Sequence, residues 1–150
     1  MVKHIGLVAC IFLLSPVAHA ASPRSPLEQI SLDAMAARAK MMEQNASSAD
    51  VDRFLTFCAD KLVYEDPVVS VRTEGKNNIR DGMSSHLGET RNPHLHLINE
   101  IAAANVVVLE ENLSFDYQQG AAWLHQIRRQ VTIFEFDGEK IRRIADYWQR

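Results

Sequence analysis

Val63-Tyr64-Glu65-Asp66-Pro67-Val68-Val69-Ser70 reads as a strand brought to a halt by a proline. Residues 62–66 form the extended run, and Pro67 has no N–H to give to a ladder, so pairing is expected to stop there. Two carboxylates, Glu65 and Asp66, therefore fall at the strand end. Successive Cβ atoms alternate along a strand, so one can lie over an interior while the other meets water. A carboxylate at the mouth of an apolar interior is disfavoured in its charged form and becomes a proton-transfer group. A plainer reading also stands: Asp-Pro is ordinary turn chemistry, and the pair then only marks the end of the strand. Tyr64 alternates with Glu65 and so shares the side of Asp66, where it orients a ligand or simply packs.

Before this strand the chain is helical. Ser25-Pro26-Leu27-Glu28 is a capping box with proline at the first helical position. Leu27, Ile30, Ala34, Ala37 and Met41 then recur at helical spacing until Asn45-Ala46-Ser47-Ser48 ends the run. Val51, Phe54, Leu55 and Cys58 predict a second, shorter amphipathic helix with Cys58 as a small core residue on its apolar face.

After the strand, Gly75 precedes a third helix whose Ile79, Met83 and Leu87 share a face, and Gly88 stops it. Beyond Pro93 the pattern predicts strands over 94–104, 106–118, 121–136 and 140–149, with turns at Gln119-Gly120 and Asp137-Gly138. Helices followed by an antiparallel meander make an α+β fold, with helices packed on one face of a curved sheet. The strand over 121–136 is apolar on both faces: Trp123, Ile127, Val131 and Ile133 share one parity, Leu124, Phe134 and Phe136 the other. One face packs on the helices, and a second subunit is the simplest cover for the other, which predicts a homodimer through the sheet.

The first twenty residues predict a segment that leaves the fold. Lys3, an apolar run over 5–14 and the small-x-small site Ala18-His19-Ala20 follow the three-part pattern of a secretory signal peptide cut after Ala20. The run is short for a bilayer-spanning helix, which needs about 20 residues. A lipoprotein signal acylated at Cys10 fits less well, because apolar sequence continues past that cysteine. Residues 21–150 then form a single domain, periplasmic or secreted, with Cys58 as its sole cysteine and no internal disulfide. Taking Lys3 from the 16 basic residues leaves 15 against 19 acidic ones, a net of −4. With no basic stripe, nucleic acid is not an expected partner, and neither is a membrane once the signal is gone.

The stretch from Val63 to Val68 with the helix start Gly75-Lys76-Asn77-Asn78-Ile79-Arg80 resembles ketosteroid isomerases and SnoaL-like polyketide cyclases of the nuclear transport factor 2-like superfamily. Ser114-Phe115-Asp116-Tyr117-Gln118, the run from Phe134 to Ile141 and Ala145-Asp146-Tyr147-Trp148 extend the likeness over most of the chain. The resemblance implies a cone: a curved antiparallel sheet wrapped around N-terminal helices, with an apolar pocket open at one end, commonly paired into dimers. It implies that Asp66 matches the isomerases' general base and Asp146 the acid–base aspartate of the cyclases. It further implies a pocket lined by Tyr64, Thr132, Phe134, Ile144 and Trp148. The isomerase oxyanion donors fall near Met42, which cannot donate, and Thr132, a neutral hydroxyl, which argues against a true steroid isomerase. Asp146 has a competing structural reading as the partner of Arg128 or Arg143.

His94 and His96 share a strand face, with His125 on another strand. A His-x-His pair can begin a metal site, but no carboxylate is spaced to finish it, so the expectation is polar sheet positions or hydrogen bonders of the pocket, and no cofactor. Two function classes follow. One is a cofactor-free enzyme doing isomerase-, cyclase- or hydratase-like acid–base chemistry on an apolar carbonyl compound. The other is a non-catalytic ligand-binding or accessory dimerisation domain using the same pocket, with a purely structural dimer behind both.

Overall fold

The computed structural model describes residues 23–149, so the expected signal segment and Cys10 lie outside the described residues. Helix α1 (Pro26–Met41) begins on the capping box: Ser25 Oγ accepts from the Glu28 N–H at 3.3 Å, and the Glu28 carboxylate accepts from the Ser25 N–H at 2.5 Å. Helix α2 (Ser48–Leu55) begins the same way, with the Asp50 carboxylate accepting from the Ser47 N–H.

Here the expected boundary moves. Cys58 opens strand β1 (Cys58–Asp66) instead of lying on the helix. The Thr56 and Phe57 N–H groups bond back onto residues 52–54 and close the last turn. Cys58 is buried all the same; an apolar residue that faces a core fits either element, so its chemistry could not tell them apart.

A short strand the periodicity did not predict, β2 (Val71–Glu74), turns back and pairs antiparallel with β1, Asp66 opposite Val71. Gly75 then caps α3 (Lys76–Ser85) with φ +87°, a conformation that favours glycine, while its N–H donates to Leu62 O at 2.8 Å. Four long strands follow: β3 (Thr90–Ala103), β4 (Val106–Gln119), β5 (Ala122–Asp137) and β6 (Lys140–Trp148). β3 starts ahead of Pro93, which is tolerated because it falls within a register shift where Asn92 has φ +53°.

The six strands lie in the order β2-β1-β6-β5-β4-β3 in a curved, unclosed sheet. All neighbours are antiparallel except β1 and β6, which run parallel. The fold is the expected α+β cone of the nuclear transport factor 2-like kind. Its core joins Met35, Phe54 and Ile79 of the helices to the inward residues Leu62, Val107, Leu109, Phe134, Phe136, Ile141 and Ile144 of the sheet. On the outer face Ile127 is 71% exposed and Tyr147 is exposed as well. Beside them an ion-pair ladder crosses β2, β1, β6 and β5, from Glu74 through Arg72, Glu65, Arg143 and Glu135 to Arg142. No helix among the described residues is long and apolar enough to cross a membrane.

Candidate functional site

The end of β1 separates its two carboxylates as the alternation requires. Glu65 points outward into the ion-pair ladder, where its bonds from Arg143 hold its carboxyl below the usual range. Asp66 points the other way, half-buried, toward the helices. Its Oδ1 accepts from the Val68 N–H at 3.1 Å, a local turn bond, and its Oδ2 accepts from the Trp148 indole Nε1–H at 2.9 Å. Both readings of Asp-Pro therefore describe something present: the residue shapes the turn with one oxygen and faces the interior with the other.

Asp146 on β6 is buried and crowded with donors. Arg38 of α1 reaches it with both terminal nitrogens, Nη1 to Oδ1 at 3.2 Å and Nη2 to Oδ2 at 2.6 Å. The Tyr64 hydroxyl donates to Oδ2 at 3.1 Å, and Thr132 Oγ1 lies 2.9 Å from Oδ1. Burial alone would lower the Arg38 pKa, but the charge and hydrogen bonds of Asp146 overcome it and hold the guanidinium above its ordinary value. Burial, then the neighbouring Asp146 charge, pushes the Tyr64 hydroxyl up, so it stays a donor.

The ion-pair reading of Asp146 is thus correct in kind but not in partner. Arg143 has the outward parity of β6 and pairs with Glu65 and Glu135. Arg128 sits between two rings, its Cζ 4.4 Å from the Trp148 centroid and 5.1 Å from that of Phe115. Arg128 Nε and Nη2 both donate to Gln126 Oε1. Burial lowers the Arg128 pKa, with the nearby Asp66 charge opposing.

Behind Asp146 lies a carboxylate that the sequence reading missed. Glu111 of β4 is fully buried; its Oε1 accepts from Gln130 Nε2 at 2.7 Å and lies 3.1 Å from Thr132 Oγ1. Its Oε2 has no hydrogen-bond partner among the described residues. Burial raises the Glu111 pKa against the opposing charge of Arg38. Thr132 has one hydroxyl proton for two carboxylates, so it links Asp146 to Glu111 and serves one at a time.

Two cavities meet at this network. One of about 440 Å³ is largely apolar, lined by Met41, Val69, Val71, Ile79 and Met83 among others. The other, about 170 Å³, is bounded by Leu113, Phe115, Arg128, Gln130, Asp146 and Trp148 among others. Arg38, Met42, Tyr64 and Asp66 line both. Of the expected pocket residues, Asp66, Asp146, Tyr64 and Trp148 thus come together, and Thr132 joins them by hydrogen bond. Phe134 and Ile144 sit in the hydrophobic core beneath, outside the lining of these two cavities. His94 and His96 are exposed on β3, and His125 pairs with Asp116 on the far side of β4.

The missed residues Arg38, Glu111 and Gln130 share a signal with Arg128, which was expected only as an ion-pair partner. Arg38 stands four residues after Ala34, on the buried stripe of α1. Glu111 interrupts the inward series Val107, Leu109, Leu113, Phe115, and Arg128 and Gln130 share the inward parity of Phe134 and Phe136. A charge or amide where the pattern demands an apolar side chain is how a buried polar site shows itself in sequence.

The comparisons agree with this architecture. The SnoaL-like domain profile matches residues 39–144. Among solved structures, a protein from Shewanella putrefaciens CN-32 named as a SnoaL-like polyketide cyclase superposes with a TM-score of 0.71 at 14% identity, covering 84% of this chain and 91% of the other. An LEH-like epoxide hydrolase from M. tuberculosis gives 0.61 at 20% identity, covering 81% and 84%. A protein with a ketosteroid isomerase-like fold from Catenulispora acidiphila DSM 44928, in complex with trimethylamine, gives 0.60 at 19% identity, covering 77% and 82%. No curated protein matches the chain.

Proposed function

The chain belongs to the SnoaL-like domain family, and on that premise we propose that it is an exported small-molecule pocket protein in which Asp66 is the general base of a cofactor-free reaction. The reaction is isomerase-, cyclase- or hydratase-like and its substrate an apolar carbonyl compound. The contrast between the two carboxylates of the small cavity carries this reading. A carboxylate offers about four lone-pair sites, and Asp146 has four groups within hydrogen-bond reach, two of them from one guanidinium. It cannot take a substrate proton without dismantling that pair. Asp66 accepts two bonds and stands half-buried on the wall common to both cavities. A largely apolar cavity with a few polar groups gathered at one end supports a small-molecule site. The names of the similar structures, a polyketide cyclase and an epoxide hydrolase, support chemistry in this range. The same reading includes export to the periplasm or the medium, and a homodimer joined through the outer sheet face.

Exchange of the α-protons of 2-decalone in D2O, followed by NMR, tests it. Wild type should exchange faster than buffer, and Asp66→Asn should lose roughly 10² or more of that rate while still binding the ketone. A second reading, a binding domain without turnover, is favoured by the saturation of Asp146, which leaves no second acid–base group free. Wild type that binds the ketone but exchanges it no faster than buffer decides for the binder. Wild type that takes up no apolar probe sinks both.

A further inference from the structure

The small cavity contains five side chains able to donate a hydrogen bond: Arg38, Tyr64, Arg128, Gln130 and Trp148. Four are committed to carboxylates. Both terminal nitrogens of Arg38 and the Tyr64 hydroxyl serve Asp146, the Gln130 amide serves Glu111, and the Trp148 indole serves Asp66. Arg128 is the exception. Its guanidinium makes no ion pair among the described residues, and its Nη1 has no hydrogen-bond partner there. Two aromatic faces and one amide oxygen hold it in place, which fixes its position without neutralising its charge. A partly desolvated cation with no ion pair of its own, facing the Asp66 charge without a direct bond to it, acts strongly on any charge that forms beside it.

Its position relative to Asp66 is set by one ring. Trp148 donates its indole N–H to Asp66 and lays its face against Arg128, so a proton acceptor and a free cation flank the same indole and face the same small space. The cavity wall is otherwise neutral, since Arg38 and Asp146 cancel each other.

We propose that Arg128 is the catalytic residue that receives the negative oxygen of the reacting molecule when Asp66 takes its proton. The assignment rests on the reading of Asp66 as base. In the step, the C–H bond next to the carbonyl breaks and an O–H bond forms on Asp66. The C–H electron pair becomes the new C=C bond, and the carbonyl π pair moves onto oxygen. Negative charge thus leaves Asp66 and appears on the substrate oxygen, and Nη1 of Arg128, which has no partner among the described residues, is the donor in the small cavity still free to meet it. Return of the proton from Asp66 to another carbon restores the enzyme, with no oxidant or reductant needed. Met42 has no donor, and the Thr132 hydroxyl is already shared between Asp146 and Glu111, so neither offers this help.

Equilibrium binding of a phenolate tests the assignment without knowledge of the natural substrate. The background is Asp66→Asn, a neutral stand-in for the protonated base, and the probes are 4-nitrophenol, whose anion is coloured, and the uncharged 4-nitrotoluene. The nitrophenol bound to Asp66→Asn should ionise at a lower pH than the free probe, by about one unit or more. Adding Arg128→Met should abolish that shift and weaken phenolate binding about tenfold or more, a tenfold change per pH unit, while nitrotoluene affinity stays the same. Arg128→Lys should restore part of the shift, and it replaces Arg128→Met as the deciding variant if the latter fails to fold. If nitrophenol binds but its ionisation is indifferent to Arg128, or if both probes weaken together, Arg128 only packs and the assignment falls while the pocket stands. If neither probe binds, the pocket reading falls and takes the assignment with it.

Discussion

The indole Nε1 of Trp148 donates to Oδ2 of Asp66 at 2.9 Å, tying the last described strand to the end of the first across 82 residues of sequence. Phenylalanine keeps an aromatic face against Arg128, though a smaller one, and removes this donor. Trp148→Phe should cost about 1–2 kcal/mol, toward the low end for a hydrogen bond to a charged group because the pair is only part-buried. Urea denaturation measures it; a wild-type midpoint in the variant means the bond adds nothing.

Arg38 and Asp146 form a pair whose side chains are 17% and 4% exposed. Removing one partner strands the other charge, so Arg38→Met should destabilise by about 3–5 kcal/mol, whereas Arg38→Met with Asp146→Leu should recover much of that loss. Denaturant titration of the single and double variants reads the difference, and equal losses in both would refute the account.

Glu111 supplies a pH dependence of definite sign. Its folded-state pKa is raised above the ordinary 4.5 by burial, so between that value and the higher folded one the native state holds more protons than the unfolded chain. Stability therefore falls as pH rises through this window. Glu111→Gln removes the effect, so thermal melts across a pH series should show the variant gaining on wild type from pH 4.5 upward. A constant gap between the two curves would show that Glu111 does not titrate there.

The outer face of the sheet leaves Ile127 in water at 71% exposure, with Val131 and Ile133 part-buried nearby. A buried aliphatic side chain is worth about 1.5–3 kcal/mol, so a second copy gains by covering the row. Wild type should sediment as a dimer at micromolar concentration and Ile127→Arg as a monomer. A monomeric wild type ends the proposal.

Export predicts a product beginning at Ala21, because Ala18-His19-Ala20 fits the cleavage rule. Intact mass of the exported protein checks this, and a lipid-modified product beginning at Cys10 would overturn it.

The fold was legible because its signals are local and redundant: a capping box at Ser25–Glu28, a glycine ahead of the third helix, and period-two strands with turns between them. Less of the candidate site could be read. The alternation at Glu65 and Asp66 showed that one carboxylate faces inward and the other outward, and only the family resemblance pointed to Asp66, but nothing local shows that an arginine from α1 will close on Asp146. That contact joins residues distant in sequence, and parity says only that a side chain points in, not what it meets. β2 escaped for a different reason: four residues, mostly exposed, carry too little pattern to register. Cys58 was misplaced because apolarity reports burial, and both a helix and a strand bury one face.

The clamp between Arg38 and Asp146 spans 108 residues, and β1 takes β6 as its parallel neighbour. During synthesis, therefore, α1 emerges long before its counter-charge exists, and β1 waits for a neighbour made only after β2, α3 and the three long strands between them. Loop closure over such a span comes late in folding. A nascent chain halted before β6 has neither the clamp nor the indole that holds Asp66, so a product cut off ahead of that strand should reach the quality-control machinery as an unfinished sheet rather than as a folded but inactive domain.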